Sequence, residues 1–301
     1  MAAVCVACQS SNTKTYLPNP RDIEYFVERS QVAEIRRCGD CGSLFQNPWP
    51  SEGEISKFYP PDYQNYSGRR RSLLAGLLRW QNASVAQRFV AEHGRDAAVL
   101  DFGCGDSSFL LSLYEQGVRD LVGYEPHERE ASYTPGEIKF YSDVDSLVAS
   151  GQRFDVIRMN HVIEHLHAPD STVTALAALL SEGGRILVQT PNPDTLSARI
   201  FGRWWGALHF PYHTVIFTPR GIAAMSTRCG MAVRKISGAL MPTGWSMSVE
   251  NALKETLGIR KRGRQWFYAP LVLAALPIAF VETLFGGHKA AIIDYELVRR
   301  G

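Results

Sequence analysis

The sequence is short of the features that mark secreted, membrane-spanning and nucleic-acid-binding proteins. Residues 1–18 contain no continuous apolar segment of the kind that forms a signal peptide. The uncharged run at residues 266–281 is shorter than the roughly 20 residues that cross a bilayer, and two prolines interrupt it. The 32 basic and 30 acidic side chains leave a net charge of only +2, so no overall field attracts nucleic acid. We therefore expect a cytoplasmic protein with no nucleic-acid partner.

The apolar residues form strands that alternate with helical stretches. An apolar fraction of 45% is enough for a substantial core, and helical stretches are predicted at 171–180 and 219–229. Such alternation predicts an α/β fold with a doubly wound, mostly parallel sheet that helices cover on both faces. Seven strands are predicted, at residues 99–102, 121–125, 138–142, 154–160, 184–190, 231–236 and 290–298.

A glycine turn follows the first of these strands, and a carboxylate ends the second. Gly103 and Gly105 permit positive φ and let the backbone approach a ligand closely. Glu125 stands at a strand tip, where a carboxylate can accept two hydrogen bonds from ribose hydroxyls. This combination predicts a Rossmann-like site for a nucleoside-bearing cofactor. A nicotinamide dinucleotide would need a third glycine where Ser108 stands, and Asp101 before the turn also favours a different cofactor.

The pattern Asp101-x-Gly103-x-Gly105 with Glu125 resembles the class I S-adenosylmethionine-dependent methyltransferases, as does the segment from His161 to Pro169 after the fourth strand. The resemblance implies that the aspartate and the glycine turn hold the methionine end of the donor, and that Glu125 holds its ribose. The family usually has glycine where Ser107 stands, so we expect a tighter or shifted loop. The cofactor-binding set that the resemblance implies is Asp101, Gly103, Cys104, Gly105, Glu125, Pro126, Asn160 and, at the adenine, Asp143.

Candidate catalytic residues follow the fourth and fifth strands, at the edge where open α/β sheets bind ligands. We expect His213 first, and His161 second, to remove a proton from the acceptor, because imidazole titrates near neutrality. Glu164 and His165 are predicted at the start of a helix, where orienting the turn and capping its amides is an equal alternative. Residues 191–217, which are rich in aromatics and loops, are predicted as a lid over the acceptor. The full catalytic set is His213, His161, Glu164, His165 and Tyr212.

Four of the six cysteines form two C-x-x-C pairs near the N-terminus, Cys5 with Cys8 and Cys38 with Cys41. Each pair can present two thiolates from a tight turn, and two such turns complete a tetrahedral site for zinc. Four protein ligands leave no open position, so the predicted zinc is structural, and the metal replaces a core that so short a segment cannot build. Redox pairs or disulfides are the alternative.

The leader from Cys5 to Tyr63 resembles the zinc-ribbon leader of a bacterial methyltransferase subgroup that includes sugar C-methyltransferases and enzymes of surface-polysaccharide pathways. This resemblance implies a sugar or glycan precursor, methylated at carbon or oxygen. The chain then divides into a zinc ribbon at 1–50, a linker and helical lead-in at 51–92, and a methyltransferase domain at 93–301. A non-catalytic scaffold that joins a ribbon to a degenerate cofactor domain is the alternative, and Ser107 is its main support.

A hydrophobic helical insertion is predicted at 241–287, before the last strand. A basic flank beside Trp266, Phe267 and Tyr268 is typical of a helix that lies in a membrane interface. Peripheral membrane contact through 254–285 at the inner face of the membrane would make a lipid-borne acceptor attractive. The alternative is a helix buried against the sheet or against a second copy in a homodimer.

Overall fold

The computed structural model describes residues 3–59, 75–126, 136–265 and 267–301, without the side chains of 75–80 and 285–286. The predicted segments around Pro60–Tyr63 and Arg69–Arg71, and the ring of Trp266, lie outside the described residues. The strands in chain order are β1 Thr13–Pro18, β2 Glu34–Cys38, β3 Leu44–Asn47, β4 Val99–Phe102, β5 Leu121–Tyr124, β6 Lys139–Tyr141, β7 Phe154–Asn160, β8 Leu180–Pro191, β9 Val215–Ile216, β10 Met231–Ala239 and β11 Ile292–Arg299. The helices are α1 Glu52–Ile55, α2 Ala75–His93, α3 Ser108–Glu115, α4 Val144–Ala149, α5 Pro169–Ala178, α6 Leu196–Phe201, α7 Pro219–Arg228, α8 Pro242–Thr256 and α9 Tyr268–Gly286.

The seven predicted strands form one sheet in the order β10-β11-β8-β7-β4-β5-β6. Only β11 runs against its neighbours β8 and β10, and the pairs from β8 to β6 are parallel. The predicted doubly wound, mostly parallel α/β sheet is therefore confirmed. The chain leaves β4 toward β6 on one side and returns to β7 on the other. The turn after β4 thus lies at the topological switch point, where such sheets bind ligands.

One predicted helix start is wrong. Glu164 and His165 do not begin a helix, because Ile163–His165 form a short 3-10 turn and α5 starts only at Pro169. Proline suits the first turn of a helix, but it pushes the preceding residue out of the helical region, and Ala168 has φ −128° and ψ 71°. The side chains of the 3-10 turn therefore project from a compact loop at the end of β7.

The leader forms a second, four-stranded sheet, in the order β1-β2-β3-β9. Its last strand comes from the segment predicted as a lid, because Val215 pairs with Phe45 and Ile216 pairs with Leu44. The lid segment also contributes Trp205, which is buried in a cluster with Ile35 and Leu44 of the leader. The lid is thus fastened to the leader by strand pairing and by apolar packing.

Helix α7 joins the cysteine turns to the large sheet. The hydroxyl of Thr218, the N-cap of α7, donates to the carbonyl oxygen of Cys41 over 2.6 Å. At the other end of the helix, the Arg228 guanidinium donates to the carbonyl oxygens of Ala7 and Val6 over 2.8 and 3.1 Å. The four cysteines are therefore held against the main core by both ends of one helix.

The insertion before the last strand folds as two helices that pack on each other. Ala275 and Ala279 of α9 are buried in a cluster with Trp245 of α8 and, at its border, Phe201. The outer face of α9 is exposed, so within the described chain the large sheet does not cover that face. Within the described ranges, no helix has the length and apolar content to cross a membrane.

Candidate active site

The glycine turn has the backbone that the sequence predicts. Gly103 and Gly105 have φ of 80° and 50°, and Ser107 joins them in the left-handed region at 61°. A side chain at Gly103 would lie 2.5 Å from the Val162 side chain, so only glycine fits there. Ser107 takes the conformation that glycine adopts without strain, so the turn is built at this position despite the missing glycine.

The acidic strand tip contacts this turn directly. Glu125 follows β5, is 6% exposed, and accepts a hydrogen bond from the backbone N–H of Gly105 over 3.0 Å. Space is open beside Gly105, because a Cβ built there meets nothing within 4 Å among the described residues. Pro126, the next residue, is exposed. A carboxylate can accept hydrogen bonds from ribose hydroxyls, and the open glycine backbone beside it leaves room for a nucleoside.

Two other predicted cofactor residues are already engaged within the protein. Asp101 is buried in β4, and its carboxylate lies 2.9 Å from the Arg158 guanidinium. Burial raises the pKa of Asp101 and the arginine opposes that shift. Asp143 is exposed and caps α4 by accepting from the backbone N–H of Ser146 over 2.7 Å, which lowers its pKa. Its contact with adenine stays a prediction, as do roles for Asn160 at the end of β7 and for the buried Cys104.

A carboxylate–imidazole pair lies just past the end of β7. Nδ1 of His161 is 3.3 Å from one oxygen of Glu164, and Thr190 donates to the other oxygen over 3.0 Å. Burial raises the pKa of the fully buried Glu164, but the hydrogen bond and charge of His161 outweigh it, so the net pKa is lowered. Nε2 of His161 is buried and has no hydrogen-bond partner among the described residues. An orphaned ring nitrogen opposite an oriented one is the arrangement expected of a proton acceptor awaiting its substrate.

His165 and His213 lie beside this pair, with ring centroids 4.6 Å apart. Nδ1 of His165 is 3.1 Å from the carbonyl oxygen of Tyr212, and Nδ1 of His213 is 2.8 Å from that of Ala207. A carbonyl oxygen can only accept, so Nδ1 of His213 carries the proton and its Nε2 keeps a lone pair. Nδ1 of His165 also lies 3.0 Å from the hydroxyl of Tyr59, which can donate or accept. Burial lowers the pKa of His165 to about 4 and that of His213 well below its ordinary value. Both rings are therefore neutral at neutral pH.

The leader contributes acidic residues beside these histidines that no sequence pattern indicates. Tyr212 donates from its hydroxyl to Asp22 over 3.1 Å, and its ring stacks on His209 at 4.5 Å. His209 in turn lies 3.5 Å from the carboxylate of Glu24. Asp22 and Glu24 stand in the connection between β1 and β2, far from any motif. The structure therefore brings all five predicted catalytic residues together, with two leader carboxylates behind them.

Among the residues that the structure describes, two groups of side chains have the spacing to hold a metal ion. The four leader cysteines are free thiols, and their sulfurs all lie within 4.8 Å of one another. The sulfurs of Cys5 and Cys41 are 3.7 Å apart, and those of Cys8 and Cys38 are 3.5 Å apart. Zn–S bonds of about 2.3 Å in a tetrahedron put sulfurs about 3.8 Å apart, so the spacing fits zinc. Glu164, His165 and His213 also offer one ligand atom each within 4.8 Å.

The fold and this site define a class of protein: an α/β enzyme that binds a nucleoside-bearing cofactor at the switch point of its sheet. Comparison with known sequences specifies the family. The family model described as "Methyltransferase domain" matches residues 74–236, more than half of the chain. The chain belongs to this methyltransferase family, and S-adenosylmethionine-dependent methyl transfer to a small molecule is its class of activity.

Curated relatives are similar to part of the chain. A ubiquinone biosynthesis O-methyltransferase of Cereibacter sphaeroides is 26% identical over 191 residues, which cover 56% of this chain and 77% of that protein. One of Serratia proteamaculans is 32% identical over 110 residues, covering 33% of this chain and 45% of that protein.

Solved structures also align with the chain. A SAM-dependent methyltransferase from Archaeoglobus fulgidus aligns with a TM-score of 0.48 and 17% identity, covering 74% of this chain and 94% of that one. A Burkholderia thailandensis 1,6-didemethyltoxoflavin-N1-methyltransferase, solved with bound S-adenosylhomocysteine, aligns with a TM-score of 0.46 and 18% identity, covering 71% and 90%.

Proposed function

We propose that this chain deprotonates a small acceptor at carbon or oxygen with His161 and transfers a methyl group to it from S-adenosylmethionine. The single observation that carries the proposal is the buried, unpartnered Nε2 of His161, whose other ring nitrogen is oriented by Glu164 at 3.3 Å. The sequence predicts His213 as the first candidate for the base and His161 as the second, and we propose the reverse order. Glu164 can stabilise a protonated His161 by direct contact, whereas burial has lowered the pKa of His213 and made it a poorer proton acceptor.

The cofactor would be held by the turn and the strand tip described above. Glu125 would accept from the ribose hydroxyls, and the open backbone at Gly105 would admit the donor close to the turn. When bound, S-adenosylmethionine supplies the methyl group as an electrophile on a sulfonium sulfur. Val162 packs over Gly103 and is the next residue after His161, which supports a short distance between the cofactor turn and the base.

His161 would take the acceptor proton on Nε2, which leaves an electron pair on the acceptor carbon or oxygen. Bound S-adenosylmethionine would supply the methyl group to that pair, its carbon–sulfur bond breaking as S-adenosylhomocysteine leaves. Glu164, buried and ionised, offsets the positive charge that develops on the imidazole. His165 and His213 would lie beside the reacting groups as neutral imidazoles. The remaining rate acceleration would come from holding the acceptor and the donor in line. We propose that residues 191–217 cover the acceptor and hold it in that position.

For the leader we propose a structural zinc ion on Cys5, Cys8, Cys38 and Cys41. The sulfur–sulfur spacing supports it, and so does the docking of both cysteine turns on α7. The metal would fix the leader so that Asp22 and Glu24 reach Tyr212 and His209. On this reading residues 1–50 form a ribbon that completes the acceptor site, instead of an independent module.

The acceptor we propose first is a keto-sugar or glycan precursor, which the resemblance of the leader suggests and in which a base removes a proton next to a carbonyl. A second candidate is a phenolic hydroxyl, favoured by the names of the curated relatives. The test is transfer of labelled methyl from S-adenosylmethionine to keto-sugar nucleotides, lipid-linked glycans and phenols, with the methylated atom located by NMR. A protein that binds no S-adenosylmethionine by calorimetry would instead be the non-catalytic scaffold.

A further inference from the structure

The outer face of α9 is an apolar surface that the rest of the described chain leaves uncovered. Six large apolar side chains of this helix are between 39% and 68% exposed. Four of them recur every three or four residues, the spacing of one face of a helix. The six are Leu273, Leu276, Ile278, Phe280, Val281 and Leu284. A continuous strip of this kind is rare on a monomer unless something binds it.

The one acidic residue of α9 does not face this strip. Glu282 accepts from Trp245 Nε1 over 2.8 Å and from the backbone N–H of Leu196 over 3.2 Å, both on the inner side of the helix. The second contact joins α9 to α6, where Leu196 and Ile200 are 54% and 58% exposed. Helix α6 thus meets the inner side of α9 and carries two exposed apolar side chains of its own.

Basic side chains flank this helix along the chain. Arg260 and Lys261 precede it and are exposed, and His288 and Lys289 follow it and are exposed. Arg199, on α6 beside Ile200, is exposed as well. With a net charge of only +2 over the chain, this grouping is a local feature. Cations around an apolar strip are complementary to an anionic lipid surface, where headgroups meet the charges and acyl chains meet the strip.

We propose that the outer face of α9 seats this protein on the surface of a bilayer that contains anionic lipid. The helix lies in the plane of the interface, because no described helix can cross a membrane. The apolar strip enters the acyl boundary, and the basic residues at its ends bind the headgroups. This seat is independent of methyl transfer, since none of its residues belongs to the cofactor turn or the histidine cluster.

The test is flotation of the purified full chain with vesicles of phosphatidylcholine, with and without phosphatidylglycerol. We expect binding to the anionic vesicles that weakens as salt is added. Replacing Leu273, Leu276 and Phe280 together by glutamine should lower partitioning by at least about tenfold. Replacing Arg260 and Lys261 by glutamine should lower it by about fivefold per residue at low salt. The matched control replaces Val32 and Val148, exposed valines elsewhere on the surface, by glutamine and should bind as the wild type does.

Thermal unfolding checks that each variant is folded. We expect the variants to fold, because the replaced side chains are exposed and contribute little to the core. Unchanged vesicle binding by the folded three-site variant would overturn the proposal. So would a wild type that ignores anionic vesicles and forms a dimer by light scattering, when the same three replacements convert it to a monomer. In that case the strip is an interface between two copies of the chain.

Discussion

The backbone N–H of Gly105 donates a 3.0 Å hydrogen bond to the carboxylate of Glu125, so the glycine turn after β4 and the acidic tip of β5 hold each other in place. The bond fixes one carboxylate oxygen and orients the other. Because two neighbouring strands each contribute one half of the arrangement, a change at Glu125 disturbs both the acceptor for the ribose and the turn beside it.

Glu125→Ala should therefore weaken S-adenosylmethionine binding by about 1–3 kcal/mol, the range for losing a charged hydrogen-bond partner. Isothermal titration calorimetry measures this directly. Glu115→Ala, at an exposed position of α3, is the matched control and should bind the donor normally. Equal affinities for the two variants would remove Glu125 from the cofactor site.

Ser107 sits at φ 61°, where a Cβ is strained and glycine is not. Ser107→Gly and Ser107→Ala both delete the hydroxyl, but only the first also relieves the backbone. We expect the glycine variant to be more stable than the alanine variant by about 1–2 kcal/mol in urea unfolding, with donor binding retained. If the alanine variant were the more stable of the two, the left-handed turn would not be the source of the strain.

The contact between His161 and Glu164 predicts which substitutions lower kcat. His161→Ala should lower kcat by about 10²- to 10⁴-fold, the usual contribution of a general base, with donor affinity kept. Glu164→Gln should also lower kcat, because the amide cannot stabilise a protonated imidazole. His213→Asn should cost less than His161→Ala, and the surface control His167→Gln should cost nothing. If His213→Asn lowered kcat more than His161→Ala does, His213 would be the base instead of His161.

Local patterns were sufficient to predict the large sheet and the cofactor turn. The strands read as short apolar runs, and the two glycines after β4 mark the positive φ that the turn requires. The helix predicted at 171–180 begins two residues earlier, at Pro169, and this proline separates it from the 3-10 turn in which Glu164 and His165 lie. Each of these features is decided by residues close in sequence or by regular strand pairing.

The leader's role in the site could not be predicted, because it depends on contacts between distant residues. Asp22 meets Tyr212 across 190 positions of the chain, and no pattern near either residue indicates the pairing. The same holds for β9, a two-residue strand that exists only because β3 is there to pair with it. A segment read from the sequence as a free lid is thereby tied to the leader.

The four-cysteine arrangement predicts one tightly bound zinc per chain, and metal analysis of the purified protein should find it. Cys38→Ser should lose the ion and, because the cysteine turns dock on α7, should also lower the stability of the whole chain. Cys229→Ser, which removes a buried cysteine away from the cluster, is the control and should keep the zinc. A second ion that persists in Cys38→Ser would assign metal to Glu164, His165 and His213.

The lowered pKa of Glu24 predicts that its contribution to the unfolding free energy is lost as the pH falls. Burial raises its pKa, but the hydrogen bond from His209 and the charge of Arg264, 3.0 Å away, outweigh burial and lower the net pKa below 4.5. A carboxyl whose pKa is lower in the folded state stabilises the fold above its ordinary pKa and loses that contribution as the pH falls through the folded value.

Glu24→Gln should therefore cost about 1–3 kcal/mol of unfolding free energy at pH 7. In urea unfolding the gap to wild type should narrow as the pH falls below 4.5, while the exposed control Glu28→Gln stays close to wild type throughout. A gap that widens in acid would mean that Glu24 is protonated in the folded protein, and that His209 and Arg264 do not hold it as an ion.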